Sequence, residues 1–186
     1  RGYRWEELQV VELLKDLSNF IENSRTGFYC LQPLVVKRSI VDHKAFYQQM
    51  RGKLDNMQDE PDPIGRLVEN LQHLTTWEVI DGQQRLTTLY IIMMVLKHDP
   101  AYHISYQTRP ESKNFLENIM GKTMKDGDEN IDFQHMILAR DVAQKWLKDK
   151  SDEENALLYD TILERVKFIW YESVGENPID VFTRLN

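Results

Sequence analysis

Residues 79–89 read Val79-Ile80-Asp81-Gly82-Gln83-Gln84-Arg85-Leu86-Thr87-Thr88-Leu89, and a strand changes into a helix within them. The residues just before Asp81 are bulky and apolar, which is typical of a short strand. After the Asp-Gly pair the apolar residues recur at helical spacing, at Leu86, Leu89, Tyr90, Met93 and Leu96. We therefore predict a strand-to-helix turn at Asp81-Gly82, followed by a helix with one apolar face.

The residue types at this turn are those that a phosphate site requires. A glycine lets the backbone approach a ligand, and a helix N-terminus offers N–H groups and the positive end of its dipole to an anion. Gln83 and Gln84 can hydrogen-bond ligand oxygens or base edges, and Arg85 supplies a planar, permanently charged guanidinium. Asp81 can hold Mg²⁺ or orient water. The alternative is that Asp81 is an N-cap and the others are ordinary helix residues.

Helices and short strands are predicted on both sides of this turn. A helix is expected at 6–23 and a strand at 28–36, in which Pro33 should mark an edge, a bulge or a bend. The second half has helical patterns at 112–120, 134–147 and 153–163, a strand at 166–171, and a final helix from Pro178. The predicted fold class is α+β, with a small sheet and a helical majority.

Composition and charge limit the classes of protein that this chain can be. With 186 residues, 41% hydrophobic and 28% charged, it fits a soluble globular domain with a substantial core. A net charge of -7 argues against a domain that binds mainly by neutralising DNA phosphates, so any DNA contact is expected to be local.

Cysteine usage and hydropathy point to the compartment. The single cysteine, Cys30, lies in an apolar run, and we expect a buried, inert thiol in a reducing compartment. The longest apolar stretch, residues 89–96, is too short to cross a bilayer, and a signal peptide is lacking at the start of the sequence. We predict a cytoplasmic protein without a membrane partner.

Three stretches of the sequence resemble the motifs of one family. The run from Ile80 to Leu89 is similar to the Asp-Gly-Gln-Gln-Arg signature of the ParB-like domain of GmrSD-type restriction enzymes. Arg1-Gly2-Tyr3-Arg4-Trp5 resembles the end of the family's Gln-Arg-x-Tyr-x-Trp motif, and Val181-Phe182-Thr183-Arg184-Leu185-Asn186 resembles its Phe-x-Arg-Leu-Asn segment. Because the order of the motifs agrees, the resemblance spans the whole chain.

The resemblance implies a fold and an activity. The family's domain is similar to the ParB and sulfiredoxin fold, in which the corresponding turn binds nucleotide phosphates, and its members hydrolyse nucleoside triphosphates to control DNA cleavage. In this chain the implied catalytic residues are Asp81 and Arg85, with Asp81 as the metal ligand for Mg²⁺. The residues implied to bind nucleotide or phosphate are Gly82, Gln83, Gln84, Arg85, Thr87, Arg184 and Asn186.

Two pairs of candidate site residues also have an ordinary structural alternative. Arg184 and Asn186 would complete the pocket, or they would be a solvent-facing arginine and a capping asparagine of a C-terminal helix. Tyr3 and Trp5 are candidates to stack on a base, and packing onto the sheet is the alternative.

The domain organisation follows from the same motifs. We predict a ParB-like nucleotide-binding domain at 1–100, with an insertion at 39–74 that contains a helix around 43–54. A helical portion at 101–186 should return to the sheet. We expect the chain to be truncated after residue 186, because the Gly-rich continuation of the family's last motif is missing there. The resemblance implies that DNA cleavage resides in a separate C-terminal HNH-type nuclease domain or subunit, and the five histidines of this chain show no His-Asn-His pattern.

Three hypotheses about function remain at this point. In the first, the chain is a Mg²⁺-dependent nucleoside-triphosphate hydrolase or nucleotide sensor that regulates a bacterial DNA restriction endonuclease. In the second, the same pocket belongs to a non-catalytic recognition module that senses modified DNA or a partner protein. The third, a structural helical scaffold, leaves the Asp-Gly-Gln-Gln-Arg run unexplained.

Overall fold

A computed structural model describes residues 2–24, 26–38, 77–106, 109–128 and 130–173. Its elements are α1 (Glu7–Asn23), β1 (Tyr29–Arg38), β2 (Trp77–Asp81), α2 (Gln83–Lys97), α3 (Glu111–Glu117), α4 (Ile131–Lys148), α5 (Asp152–Glu164) and β3 (Val166–Glu172). Two short 3-10 helices, Ile119–Gly121 and Met124–Gly127, lie between α3 and α4. The strands form a small sheet in the order β2-β1-β3. The predicted α+β class is confirmed, whereas the likeness to the ParB and sulfiredoxin fold stays a prediction.

Several predicted features lie outside the described residues. They are the insertion at 39–74, the helix around 43–54 and the helix that starts at Pro178. Elsewhere the predicted helices and strands are present, with ends that differ by one to a few residues. No helix in the described ranges is long and apolar enough to span a membrane.

The chain divides into two compact units that alternate along the sequence. The first unit contains residues 1–32 and 82–169, and the second contains residues 33–81 and 170–186. The boundaries therefore fall within β1, between β2 and α2, and within β3. The predicted division into 1–100 and 101–186 stays a prediction.

Helix α2 is the central helix of the first unit. Its residues from Thr87 to Met94 are all buried, and it packs against α4 and α5. A helix that is buried on every side must be surrounded by other elements. Leu89, Tyr90 and Met93 of the predicted apolar face are buried, and Ile91 and Ile92, which lie off that face, are fully buried as well.

Helix α1 covers another side of α4. It buries Val10, Leu13, Leu14 and Leu17. The sequence predicts apolar positions at Leu8, Val11, Leu14, Leu17 and Ile21; of these, Leu14 and Leu17 are buried, whereas Leu8 is exposed. Its start is fixed by a capping box, in which the Gln9 side chain accepts a hydrogen bond from the N–H of Glu6 at 3.0 Å.

The strands of the second unit pair from Val35 onward. Residues 35–38 of β1 pair with β2 antiparallel, with an irregularity between Val35 and Val36. Pro33 precedes this register, so its missing N–H costs no hydrogen bond to β2. On the other side of β1, the N–H of Ser173 donates to the carbonyl of Val36 at 2.8 Å.

Cys30 lies on β1 and its side chain is exposed. This corrects the expectation of a buried thiol. The next residue, Leu31, is buried, because successive side chains of a strand point to opposite faces. An apolar run around a cysteine does not by itself decide which face the sulfur occupies.

Candidate functional site

Helix α2 begins at a glycine. Gly82 is the N-cap residue, with φ 91° and ψ 4°, a left-handed conformation that residues with a Cβ rarely adopt. The N–H of Leu86 closes the first helical turn on the carbonyl of Gly82 at 3.1 Å. Asp81 is the last residue of β2. The predicted turn is therefore confirmed, while the alternative in which Asp81 is the N-cap was wrong, because Gly82 occupies that position.

The side chain of Gln84 fixes the N-terminal segment, residues 2–5, to this turn. Its Nε2 donates to the carbonyl of Gly2 at 2.7 Å, and its Oε1 accepts from the N–H of Arg4 at 2.7 Å. One amide thus satisfies both a backbone acceptor and a backbone donor of an extended segment. These bonds give Gln84 a structural role, and its predicted contact with nucleotide stays a prediction.

Tyr3 holds the same segment from the inside. Its side chain is fully buried, and its hydroxyl lies 2.8 Å from Oγ1 of Thr88. Because Thr88 donates its own proton to the carbonyl of Gln84 at 2.9 Å, Tyr3 must donate to Thr88. Burial raises the pKa of Tyr3, which keeps the hydroxyl protonated.

Tyr3 therefore packs, as the alternative to base stacking requires, but against α2. Trp5 is half-buried and contacts the core of the first unit. Base stacking by either ring stays a prediction.

Two further tyrosines contact the first turns of α2. The hydroxyl of Tyr106 lies 2.7 Å from Oγ1 of Thr87, and the hydroxyl of Tyr102 donates to the carbonyl of Leu86 at 2.6 Å. Burial raises the pKa of both tyrosines. Thr87 is itself buried, so its hydroxyl has a partner within the protein. Its predicted contact with phosphate stays a prediction.

Arg85 reaches the surface beside β1. Its guanidinium donates to Oε1 of Gln32, and its side chain is partly exposed. Gln83, at the first position of the helix, is also partly exposed. Arg85 therefore combines a permanent charge with solvent access at the positive end of a helix dipole. Arg184 and Asn186 lie outside the described residues.

The comparisons with known proteins give a family. Residues 1–186 match the sequence model of the N-terminal domain of the GmrSD restriction endonuclease. The chain belongs to this family. No curated protein and no solved structure matches it. The predicted resemblance to GmrSD-type enzymes is confirmed, and the chain is a domain of a restriction endonuclease system, whose substrate is DNA.

This GmrSD N-terminal domain contains a buried ion-pair cluster that was not predicted from the sequence. Asp132, in the first turn of α4, pairs with Nη1 of Arg4 and with Nη1 of Arg109. Its side chain is 2% exposed, whereas those of the arginines are 44% and 34% exposed. The sequence gives one local signal, an Asn130-x-Asp132 helix start, and the Asn130 side chain does accept from the N–H of Asp132 at 3.0 Å.

Within the ranges that the structure describes, no three His, Cys, Asp or Glu side chains lie together as a metal site. His98 and His103 are exposed and His135 is half-buried. His43 and His73 lie outside the described residues.

Proposed function

We propose that this domain binds a nucleoside triphosphate at the first turn of α2 and thereby regulates the DNA cleavage of its restriction endonuclease. The observation that carries the proposal is the glycine N-cap of α2, followed after three residues by the partly exposed Arg85. A phosphate can approach Gly82 closely because no Cβ blocks it. The helix dipole and the guanidinium both favour negative charge there.

The bound nucleotide is proposed to be hydrolysed with Mg²⁺. Mg²⁺ is usually held by one or two carboxylates together with substrate phosphates, so a single carboxylate beside the phosphate site suits it. Asp81 is the residue next to Gly82 in the chain and would hold the ion or orient the attacking water. Arg85 would stabilise the charge that develops on the transferred phosphoryl group. When bound, Mg²⁺ would supply positive charge that offsets the charge of the phosphates.

The fold supports this proposal by making the turn rigid. The N-terminal segment contacts Gln84 and Thr88 of α2. Tyr102 contacts Leu86, and Tyr106 contacts Thr87. A binding site on rigid elements loses little entropy when its ligand arrives. The cleavage of DNA itself is assigned in this proposal to a C-terminal HNH-type nuclease domain or subunit.

The direct test is Arg85→Ala, which should weaken binding of a triphosphate without unfolding the domain. Loss of one charge-assisted phosphate contact should cost about 1.5 to 3 kcal/mol. That corresponds to a loss of affinity of roughly tenfold to more than a hundredfold. Calorimetric titration with ATP and with GTP, each with Mg²⁺, measures the affinity, and a melting curve measures the stability.

Gln32→Ala is the matched control. It removes one neutral partner of the Arg85 guanidinium and leaves the charge in place. Its affinity for the triphosphate should stay close to that of the wild type. If Arg85→Ala binds as tightly as the wild type, Arg85 has no role in holding phosphate. Binding without release of phosphate would favour the recognition module over the hydrolase.

Binding of DNA by this domain alone is expected to be weak and strongly dependent on salt. The net charge of -7 opposes tracking of the phosphate backbone. A mobility-shift series with ordinary duplex DNA over increasing salt measures it. Tight binding that salt does not weaken would identify a dedicated DNA-binding domain and would contradict the regulatory role.

A further inference from the structure

One buried carboxylate connects the two parts of the chain that contact the start of α2. Asp132 is 2% exposed and pairs with Arg4 on one oxygen and with Arg109 on the other. An ionised carboxylate at this depth is costly unless it is paired, and here two guanidinium groups and the first turn of α4 compensate it. The three residues, Asp132, Arg4 and Arg109, are called the Asp132 cluster below.

The first arginine belongs to the N-terminal segment. The backbone N–H of Arg4 bonds to Gln84, and its Nη1 donates to the carbonyl of Tyr3 at 2.7 Å. Arg4 therefore joins three groups: its side chain contacts the carboxylate on α4 and the backbone of its own segment, and its backbone N–H bonds to Gln84 in the first turn of α2. If the ion pair were lost, this segment would keep only Gln84 and Thr88 as polar anchors among the contacts described above.

The second arginine belongs to the loop that follows α2. The N–H of Arg109 bonds to the carbonyl of Tyr106 at 3.0 Å, and the hydroxyl of Tyr106 in turn lies against Thr87. Arg109 is thus linked through Tyr106 to Thr87, near the start of α2. Asp132 holds both arginines from the same side chain.

Gly2 shows how closely the N-terminal segment lies against this cluster. A Cβ added at Gly2 would overlap both carboxylate oxygens of Asp132 and Nη1 of Arg109. Gly2 is needed here because the backbone passes directly over the carboxylate and leaves no space for a side chain. The segment, the carboxylate and the second arginine are therefore in mutual contact.

We propose that Asp132 is the positioning residue of the triphosphate site. Through Arg4 and Arg109 it holds the N-terminal segment and Tyr106 against the first turns of α2. It thereby fixes the position of the proposed phosphate-binding groups at the start of α2, Gly82 and Arg85. Asp132 itself touches no ligand in this arrangement. The inference rests on the proposed function, and its consequence is that a residue of α4 controls the affinity for the triphosphate.

The experiment compares Asp132→Asn with Ile137→Ala, a fully buried residue of the same helix outside the cluster. Two quantities are measured for each: the affinity for ATP and for GTP with Mg²⁺, and amide hydrogen exchange of residues 2–5 and 83–88 without nucleotide. Asp132→Asn should raise exchange in both stretches and weaken the affinity about 10- to 100-fold. Ile137→Ala should lower the global stability without a selective change in either quantity.

A double-mutant cycle on the triphosphate affinity tests whether Asp132 acts through Arg4, which a merely structural role of Asp132 would not require. If Asp132 acts through Arg4, the pair Arg4→Ala and Asp132→Asn should weaken the affinity no more than the stronger single change does. Additive losses would show that Asp132 acts independently of Arg4 and would overturn the proposal.

The remaining outcomes separate this inference from the proposed function. Raised exchange with unchanged affinity would overturn the positioning role and leave the triphosphate site standing. Unchanged exchange would show that the cluster does not hold the segment and would also overturn it. If the wild type binds neither nucleotide, the proposed function fails and the positioning role fails with it, while exchange still decides whether Asp132 holds the N-terminal segment.

Discussion

Replacement of Tyr3 by alanine is expected to lower the free energy of unfolding by about 3 to 5 kcal/mol. The ring is fully buried within the core of the first unit, so its removal loses apolar burial and leaves a cavity. The hydroxyl of Thr88 also loses its donor. Urea denaturation followed by circular dichroism measures the change, through the shift of the midpoint at constant slope.

Tyr3→Phe separates the ring from the hydroxyl. It keeps the packing and removes only the hydrogen bond to Thr88, so it should cost about 0.5 to 1.5 kcal/mol. If Tyr3→Ala destabilises no more than Tyr3→Phe, the ring does not pack as described here. Such a result would favour base stacking by Tyr3 over packing in the core.

The largest effect on activity is expected from Asp81→Asn. Asparagine keeps the size and polarity of the side chain at the end of β2 but removes the charge that Mg²⁺ or an attacking water requires. Turnover of the triphosphate should fall about 10²-fold or more, with little change in the melting temperature. Release of phosphate by the wild type and the variant, each with and without Mg²⁺, is the measurement.

Glu78→Gln is the control for this change. Glu78 is an exposed carboxylate on the same strand, so its replacement alters the net charge equally without touching the proposed site. Equal, Mg²⁺-independent rates for wild type and Asp81→Asn would remove Asp81 from the mechanism and would favour the recognition module over the hydrolase.

The sequence predicted those features that depend on neighbouring residues. The turn at Gly82 follows from a strand pattern, an Asp-Gly pair and a helical pattern that succeed one another directly. Helix α1 was predicted at 6–23 and lies at Glu7–Asn23. Such signals need no knowledge of the tertiary fold.

Contacts between distant residues were not predictable in this way. The surroundings of α2 depend on which helices pack around it, so Ile91 and Ile92 could not be assigned to the core from one face of a helix. The partners of Gln84, Thr87 and Thr88 come from other parts of the chain, and Tyr3 is 85 residues from Thr88. The sequence identified the motif, but the division of its residues between ligand binding and internal contacts required the fold.

The ion pairs of Asp132 were likewise not predictable from the sequence. In the sequence it ends an acidic stretch, residues 126–132, which does not match a calcium loop. Its pairing with Arg4 and Arg109 depends on three segments that come together only in the folded chain. The helix start at Asn130 can be recognised in the sequence, whereas the two arginines that pair with the Asp132 carboxylate cannot.

The contact between Gly2 and Asp132 also constrains the order in which this domain forms during synthesis. The N-terminal segment leaves the ribosome before α4, and its carboxylate partner follows only after more than a hundred further residues have been made, on the order of ten seconds later at usual elongation rates. Until then Tyr3 has no complete core to enter. We expect the segment to dock late, so that a nascent chain arrested before α4 is cut by protease near residue 4, and one arrested after α4 is protected.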